Sequence, residues 1–373
     1  MPPVNILIKP ASSACNIGCS YCFYKDVSAH REHEFEGMLS LEMMEKVITS
    51  GMEYADHSCS FAFQGGEPTL AGLEFYKNVL EIEKKYQKPG VEIHNSIQTN
   101  GIVINEDWAR FFAENHFLVG LSLDGPAEIH NLNRIDRQQR GTFNTVMNAV
   151  RLFRKYQVDF NILCVLTDKS ARSIEKIFRF YRKEGFQWLQ FIPCLDPFGQ
   201  DGKKSVWSLS EESYSEFLLK IFDLWFAEYK KGNYISIRHL DNWLAMMLGD
   251  PPESCNMCGQ CSVQYVIEGD GSVYPCDFYV LDEWKLGNVG EQSFLEMLKS
   301  KKANDFITAS RIIPEACRGC RWYPLCRNGC RRERDENGLN IHCKAVSQFF
   351  TARYPQLRQA AMMVDQKRYE NSL

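Results

Sequence analysis

The chain has 373 residues, room for one large domain with an appendage or for two, and 45% hydrophobic beside 24% charged residues is ordinary globular composition. That excludes disordered and fibrous classes, and a net charge of −4 lacks the basic footprint of a nucleic-acid binder or of a protein drawn to anionic membrane. Fifteen cysteines, with no secretion signal in residues 1–10 and no apolar run of about 18 residues to span a membrane, predict a cytoplasmic protein that ligates metal rather than one stapled by disulfides.

Along the chain, short apolar and β-branched runs read as strands: Val4–Ile8, Ser60–Phe63, Ile93–Gln98, Leu118–Leu123, Phe160–Leu166 and Trp188–Ile192. Between them, Leu41–Tyr54, Leu73–Tyr86, Glu106–Glu114, Thr142–Tyr156 and Ser173–Glu184 carry apolar residues at helical spacing, with Ser40 and Asn105 where N-caps belong. This alternation predicts a parallel sheet with right-handed crossovers. Six units are too few to close an eight-stranded barrel, so the expected fold class is α/β, an open, partial (β/α)6 TIM-like barrel over residues 1–235. Glu211–Lys231 reads as one long amphipathic helix packed on that barrel. From Cys255 the chain becomes loop-rich and cysteine-dense, and residues 236–373 are expected to form a second, cysteine-rich unit ending in a helix.

In parallel sheets of this kind, functional groups gather at the C-terminal ends of the strands. Cys15-x3-Cys19-x2-Cys22 follows the first strand, Gln64-Gly65-Gly66-Glu67-Pro68 the second, Thr99-Asn100-Gly101 the third and Ser122-Leu123-Asp124-Gly125 the fourth, all on one rim. Three cysteine ligands to a four-iron cluster leave one iron open, whereas a structural site normally closes with four. Spacing alone also admits a zinc site completed by His30 or His33, or a redox pair of Cys19 and Cys22. Toward the C-terminus come Cys255, Cys258, Cys261 and Cys276, then Cys317-x2-Cys320-x5-Cys326-x3-Cys330, then Cys343: enough for two four-ligand sites with one thiol over, or for zinc ribbons. Cys59, Cys164 and Cys194 lie in or beside apolar strands and read as small buried hydrophobes. Arg318, Arg321, Arg327, Arg331, Arg332 and Arg334 read as compensation for thiolate charge rather than as an RNA surface.

The CxxxCxxC spacing followed by aromatics resembles the radical S-adenosylmethionine (SAM) enzymes, and the order of the C-terminal cysteines resembles their SPASM extension. KPASSACNIGCSYCFY, FAFQGGEPTLAGLEFY, SIQTNG, VGLSLDGPAEIHNLNR and YPCDFYV resemble, more closely, the anaerobic sulfatase-maturating enzymes, over nearly the whole chain. The resemblance implies three [4Fe-4S] clusters and SAM, whose reductive cleavage gives a 5′-deoxyadenosyl radical that abstracts a Cβ hydrogen. A cysteine, or a serine, of a sulfatase then becomes Cα-formylglycine, with release of sulfide where cysteine is the target.

By the same resemblance Cys15, Cys19 and Cys22 hold the SAM cluster, Cys255, Cys261, Cys276 and Cys330 a first auxiliary cluster, and Cys317, Cys320, Cys326 and Cys343 a second. Cys258 stands between two ligands of the first set and competes with either. Gly66, Ser122, Arg134, Tyr21 and Leu195 are implied as SAM contacts, with Arg134 on its carboxylate. Asp277 is implied as the base, kept ionised by a neighbouring arginine, and Gln64, Gln98 and Arg238 as lining of the peptide channel. The implied partners are an unfolded sulfatase peptide with a C/S-x-P/A-x-R motif and an electron donor such as flavodoxin or ferredoxin. Three other readings remain: a maturase that crosslinks ribosomal peptides, though the fourteen residues before Cys15 leave no room for its usual recognition domain, a non-catalytic zinc-binding adaptor, and a radical enzyme acting on RNA, against which the acidic balance speaks.

Overall fold

Six parallel strands in chain order, β1 Val4–Ile8, β2 Ser58–Phe63, β3 Glu92–Thr99, β4 Leu118–Ser122, β5 Phe160–Leu166 and β6 Trp188–Pro193, form the centre of one sheet in the computed structural model, which describes residues 4–199 and 205–372, with side chains as far as residue 366. The helices between them are α1 Phe23–Ala29, α2 Leu41–Tyr54, α3 Leu73–Tyr86, α4 Glu106–Glu114, α5 Ala127–Asn133, α6 Phe143–Tyr156, α7 Asp168–Arg172 and α8 Ile174–Lys183. Each crossover expected from the periodicity is present, as α2, α3, α4, α6 and α8. Ser40 accepts from the Met43 N–H and Asn105 from the Trp108 N–H, as N-caps do. The short helices α1, α5 and α7 sit in rim loops and have too few turns to show a period.

Alternation along each strand separates two faces. Cys59, Phe61, Phe63, Ile97, Val119, Leu121, Ile162, Cys164, Leu189 and Phe191 are buried against the helices. The opposite parity places Ser60, Ser96, Gln98, Gly120, Asn161 and Gln190 on the concave face, where they are only half-buried. The lumen is therefore polar and accessible, unlike the filled interior of a closed barrel.

Beyond β6 the long helix α9 Glu211–Tyr229 buries Phe217, Phe222, Trp225 and Phe226. A strand β7 Ser236–Ile237 then pairs in parallel with β6 and leads into α10 Arg238–Met247, so the sheet runs on past residue 235. At the other edge β8 Val266–Ile267 pairs with β1, and β9 Ser272–Tyr274 and β10 Gly287–Asn288 continue it antiparallel. The cysteine-rich region thus extends the barrel sheet at its β1 edge. The final helix, α11 Cys343–Ser372, packs on α9 and α10 through Phe349, whose ring stands 5.6 Å from Phe222 and 5.0 Å from Trp243. Among the described residues no helix is long and apolar enough to cross a membrane.

Candidate active site

Cys15, Cys19 and Cys22 occupy the loop between β1 and α1, half-buried and within electrostatic reach of one another. Burial pushes the Cys15 thiol up to about 11 and the Cys19 thiol to about 12, so a thiolate here calls for an adjoining positive centre. Backbone fixes the loop: Gly66 N–H donates to Ser12 O at 2.9 Å and Glu67 N–H to Ala14 O at 2.8 Å. A Cβ on Gly66 would stand 2.0 Å from the Ala14 carbonyl oxygen, so this glycine is required by the approach of one loop to another.

The neighbouring Glu67 does something the sequence did not reveal. Its buried carboxylate accepts from Thr99 Oγ1 at 2.8 Å and from Asn100 N–H at 2.7 Å, tying the β2 loop to the β3 loop. Asn100 in turn aims Nδ2 at Cys15 Sγ, 3.7 Å away.

On the β4 side, Arg134 is buried and donates from Nε to Asp124 Oδ2 at 2.9 Å, with Nη1 3.9 Å from Cys19 Sγ. The same Asp124 oxygen accepts from the Tyr21 hydroxyl, and its other oxygen accepts from Val165 N–H at 3.0 Å. Sequence alone assigns Asp124 no role. In the structure it is the hub that orients Arg134 and Tyr21 together. Ser122 is buried at the end of β4, and Leu195 is half-buried just beyond β6.

Asp277 reaches the site from the β1 edge, just past β9. Tyr24 donates to its Oδ2 at 2.7 Å and Gln64 Nε2 lies 3.5 Å from the same oxygen, while Oδ1 is buried with no partner among the described residues. Burial raises its pKa to about 6, opposed chiefly by Lys9. Among the described residues the cation facing it is therefore a lysine, not the expected arginine. Lys9 is itself shared: Glu268 takes an ion pair from Lys9 and another from Arg31 Nη1 at 2.6 Å. Gln98 stands near this group on the lumen, whereas Arg238 is exposed at the far edge, donating to Gln190 at 3.3 Å.

Eight of the nine remaining ligand candidates fall into two sets. Cys255, Cys261, Cys276 and Cys330 lie within electrostatic reach of one another, and Cys317, Cys320, Cys326 and Cys343 line one concavity with Asn328 and Asn340. Cys258 is beside Cys255, but its thiol points at the Pro252 and Ser254 carbonyls, 3.8 and 3.6 Å away. His30, a candidate for a zinc ligand, instead turns Nδ1 to the Asp26 carbonyl at 2.9 Å. Of the six arginines, Arg331 stacks on Tyr279, Trp284 and Phe306, Arg332 lies 3.8 Å over Phe198, and Arg334 donates to three carbonyls, so they brace loops as well as offset charge. Three rim thiols and two four-thiol sets fit iron–sulfur clusters.

Comparison with known proteins agrees with that donor chemistry. Residues 10–181 match the Radical SAM superfamily and residues 249–321 an iron-sulfur cluster-binding domain, SPASM. The chain is 47% identical over 362 residues to a cysteine-type anaerobic sulfatase-maturating enzyme of Clostridium perfringens (strain 13 / Type A), covering 96% of this chain and 98% of that one. It is 32% identical to a serine-type anaerobic sulfatase-maturating enzyme of Bacteroides thetaiotaomicron, with 93% and 89% covered. The structure of native anSMEcpe with bound AdoMet and Cp18Cys peptide superposes with a TM-score of 0.93 at 45% identity, over 97% of this chain and all (100%) of that one. SuiB of Streptococcus suis bound to S-adenosylmethionine superposes at 0.61 with 16% identity, over 91% and 76% of the two chains, a likeness of fold alone.

Proposed function

We infer the activity from membership: the chain belongs to the anaerobic sulfatase-maturating enzymes of the radical SAM superfamily, and it is an oxidoreductase that converts a cysteine of a sulfatase to Cα-formylglycine. It works with SAM and with [4Fe-4S] clusters. When bound, these groups supply a carbon radical that removes a Cβ hydrogen and an acceptor for the second electron. Cysteine rather than serine is the expected target, because identity to the cysteine-type relative is 47% against 32% to the serine-type one.

The residue roles are our proposal. Cys15, Cys19 and Cys22 hold the SAM cluster, Cys255, Cys261, Cys276 and Cys330 the first auxiliary cluster, and Cys317, Cys320, Cys326 and Cys343 the second. Arg134, aligned by Asp124, offers its remaining N–H groups to the SAM carboxylate, a planar fork meeting two oxygens. Tyr21, Gly66, Ser122 and Leu195 complete the pocket. The proton left on the target sulfur goes to Asp277. Residues 1–235 do the radical chemistry and residues 236–373 deliver Asp277 and the auxiliary thiols. The client is an unfolded peptide with a C/S-x-P/A-x-R motif, the reductant a flavodoxin or ferredoxin, and the compartment a reducing cytoplasm.

One observation carries the base assignment: Asp277 is held by Tyr24 on one oxygen and keeps the other, Oδ1, without a partner. A carboxylate titrating at about 6 is largely ionised at neutral pH and near the operating range where proton transfer is efficient. Asp277→Asn keeps the hydrogen bonds of its neighbours but cannot take a proton. In an anaerobic assay of reduced enzyme with SAM and a C-x-P-x-R peptide, this variant still cleaves SAM while aldehyde formation, read by mass, falls about a hundredfold or more. Unchanged aldehyde formation removes Asp277 from the mechanism, and a bridged peptide in place of aldehyde overturns the activity.

A further inference from the structure

Thr99-Asn100-Gly101 ends β3 on the same rim as the thiols of Cys15, Cys19 and Cys22, and none of the roles above uses it. Its middle residue is buried and fully engaged. Asn100 Oδ1 accepts from Ile102 N–H at 3.0 Å, which turns Nδ2 toward the cysteine loop. There Nδ2 donates to Asn16 Oδ1 at 2.7 Å and reaches Cys15 Sγ at 3.7 Å, one partner for each amide hydrogen. The opposite placement of oxygen and nitrogen would set an oxygen against the thiolate and against Asn16 Oδ1, and would leave Ile102 N–H without its acceptor.

The residue is also held from behind. The Glu67 carboxylate accepts from Asn100 N–H at 2.7 Å and from Thr99 Oγ1 at 2.8 Å, and Thr99 Oγ1 accepts from Gly101 N–H at 3.1 Å. Gly101 turns the chain at φ 77°, in the left-handed region, and a Cβ there would stand 2.8 Å from Leu121 Cδ1. Strand end, carboxylate and turn together aim one amide N–H at one sulfur.

Such a bond bears on redox chemistry more than on ligation. An electron added to an iron–sulfur cluster raises the negative charge on its thiolates, so a donor on a sulfur favours the reduced form and lifts the potential. Arg134 Nη1 lies 3.9 Å from Cys19 Sγ, but that guanidinium is engaged by Asp124 and, in the roles above, by SAM. Asn100 is neutral and is held by protein groups alone.

We propose that Asn100 sets the reduction potential of the SAM cluster through its N–H on Cys15, with Glu67 as the clamp that aims it. This rests on the assignment of Cys15 to that cluster and adds Asn100 and Glu67 as positioning residues. The step they ease is the entry of one electron from an external one-electron donor, in which the cluster is reduced, the donor is oxidised and no bond is made or broken.

The test poises cluster-loaded protein at a series of potentials without oxygen and counts reduced cluster by electron paramagnetic resonance, following the signal that changes when SAM is added. Asn100→Leu lacks the donor and moves the reduction equilibrium about tenfold toward the oxidised form, a midpoint lower by about 59 mV. Asn100→Asp keeps an acceptor for Ile102 N–H but turns an oxygen to the sulfur, so its midpoint falls at least as far, and it stands in if the leucine variant misfolds. Asn16→Ala cuts the tie between the two loops, spares the donor to Cys15 and keeps the parent's midpoint. Coupling of the reduced cluster to exchangeable amide protons weakens in both Asn100 variants. A midpoint unchanged in both, or lowered as much by Asn16→Ala, makes Asn100 a loop brace and overturns the proposal while the activity stands. A parent protein with no signal that responds to SAM overturns the cluster assignment and the proposal together.

Discussion

From β1 to β6 the chain is shaped by alternation: every strand turns Phe, Ile, Val or Leu to the helices, and the rim loops inherit their positions from the strand ends. From Cys255 to Cys343 the means are different. The strands there are two or three residues long, and many turns are held by side chains on carbonyls, such as Arg334 on Ser310 O at 2.7 Å and Arg332 on Asp196 O at 2.6 Å. The barrel carries its own core and presents a cofactor on it. The C-terminal region buries fewer apolar side chains, and the eight cysteines proposed above as auxiliary ligands would act there as staples whose binding energy is folding energy.

The largest effect that tests this contrast comes from removing one thiol in each region. Cys19→Ala abolishes SAM cleavage yet leaves the pattern of limited proteolysis unchanged, because β1 and α1 are held by apolar packing and backbone bonds. Cys326→Ala opens cleavage sites between residues 255 and 343 while the barrel stays resistant. A C-terminal region as resistant in Cys326→Ala as in the parent breaks the comparison.

A smaller effect sharpens it within the barrel. Asp124 holds Arg134, Tyr21 and the Val165 N–H, so Asp124→Asn leaves a buried guanidinium without its counter-charge. Removing one partner of a buried pair costs about 3–5 kcal/mol. Part appears as a lower melting temperature and part as SAM affinity about tenfold weaker or worse, measured by calorimetry, with auxiliary iron retained. SAM binding equal to the parent takes Arg134 out of the SAM pocket.

These two residues also mark where sequence reading stopped. Arg134 and Tyr21 were named separately because each stands in a motif, but their common partner comes from another loop, 10 and 103 residues away. The strands and crossovers were legible because burial on one face writes a period into the sequence. The strands β7 to β10 were not, since two or three residues carry no period. Glu67 and Lys9 were missed for a related reason. Their partners Asn100 and Glu268 lie 33 and 259 residues away, and a carboxylate that braces two loops looks in sequence like any other acid. The auxiliary cysteines were legible as two groups because cysteine spacing survives without regular structure.

The smallest effect concerns one source of pH sensitivity on the barrel side. Glu83 of α3 is buried, bonds Asn95 Nδ2 through Oε2 at 2.9 Å and leaves Oε1 with no partner among the described residues. Burial raises its pKa to about 7, above the 4.5 of a free glutamate. Between those values the native state binds the proton and the unfolded chain does not, so stability is greatest below about pH 4.5 as far as this group is concerned and falls as pH rises to 7. Between pH 5 and pH 8 the loss is roughly 2–3 kcal/mol. The parent therefore loses a few degrees of melting temperature between pH 5 and pH 8, whereas Glu83→Gln, whose amide oxygen still accepts from Asn95, loses less and melts higher than the parent at pH 8. A Glu83→Gln curve parallel to the parent's would take Glu83 out of the pH dependence.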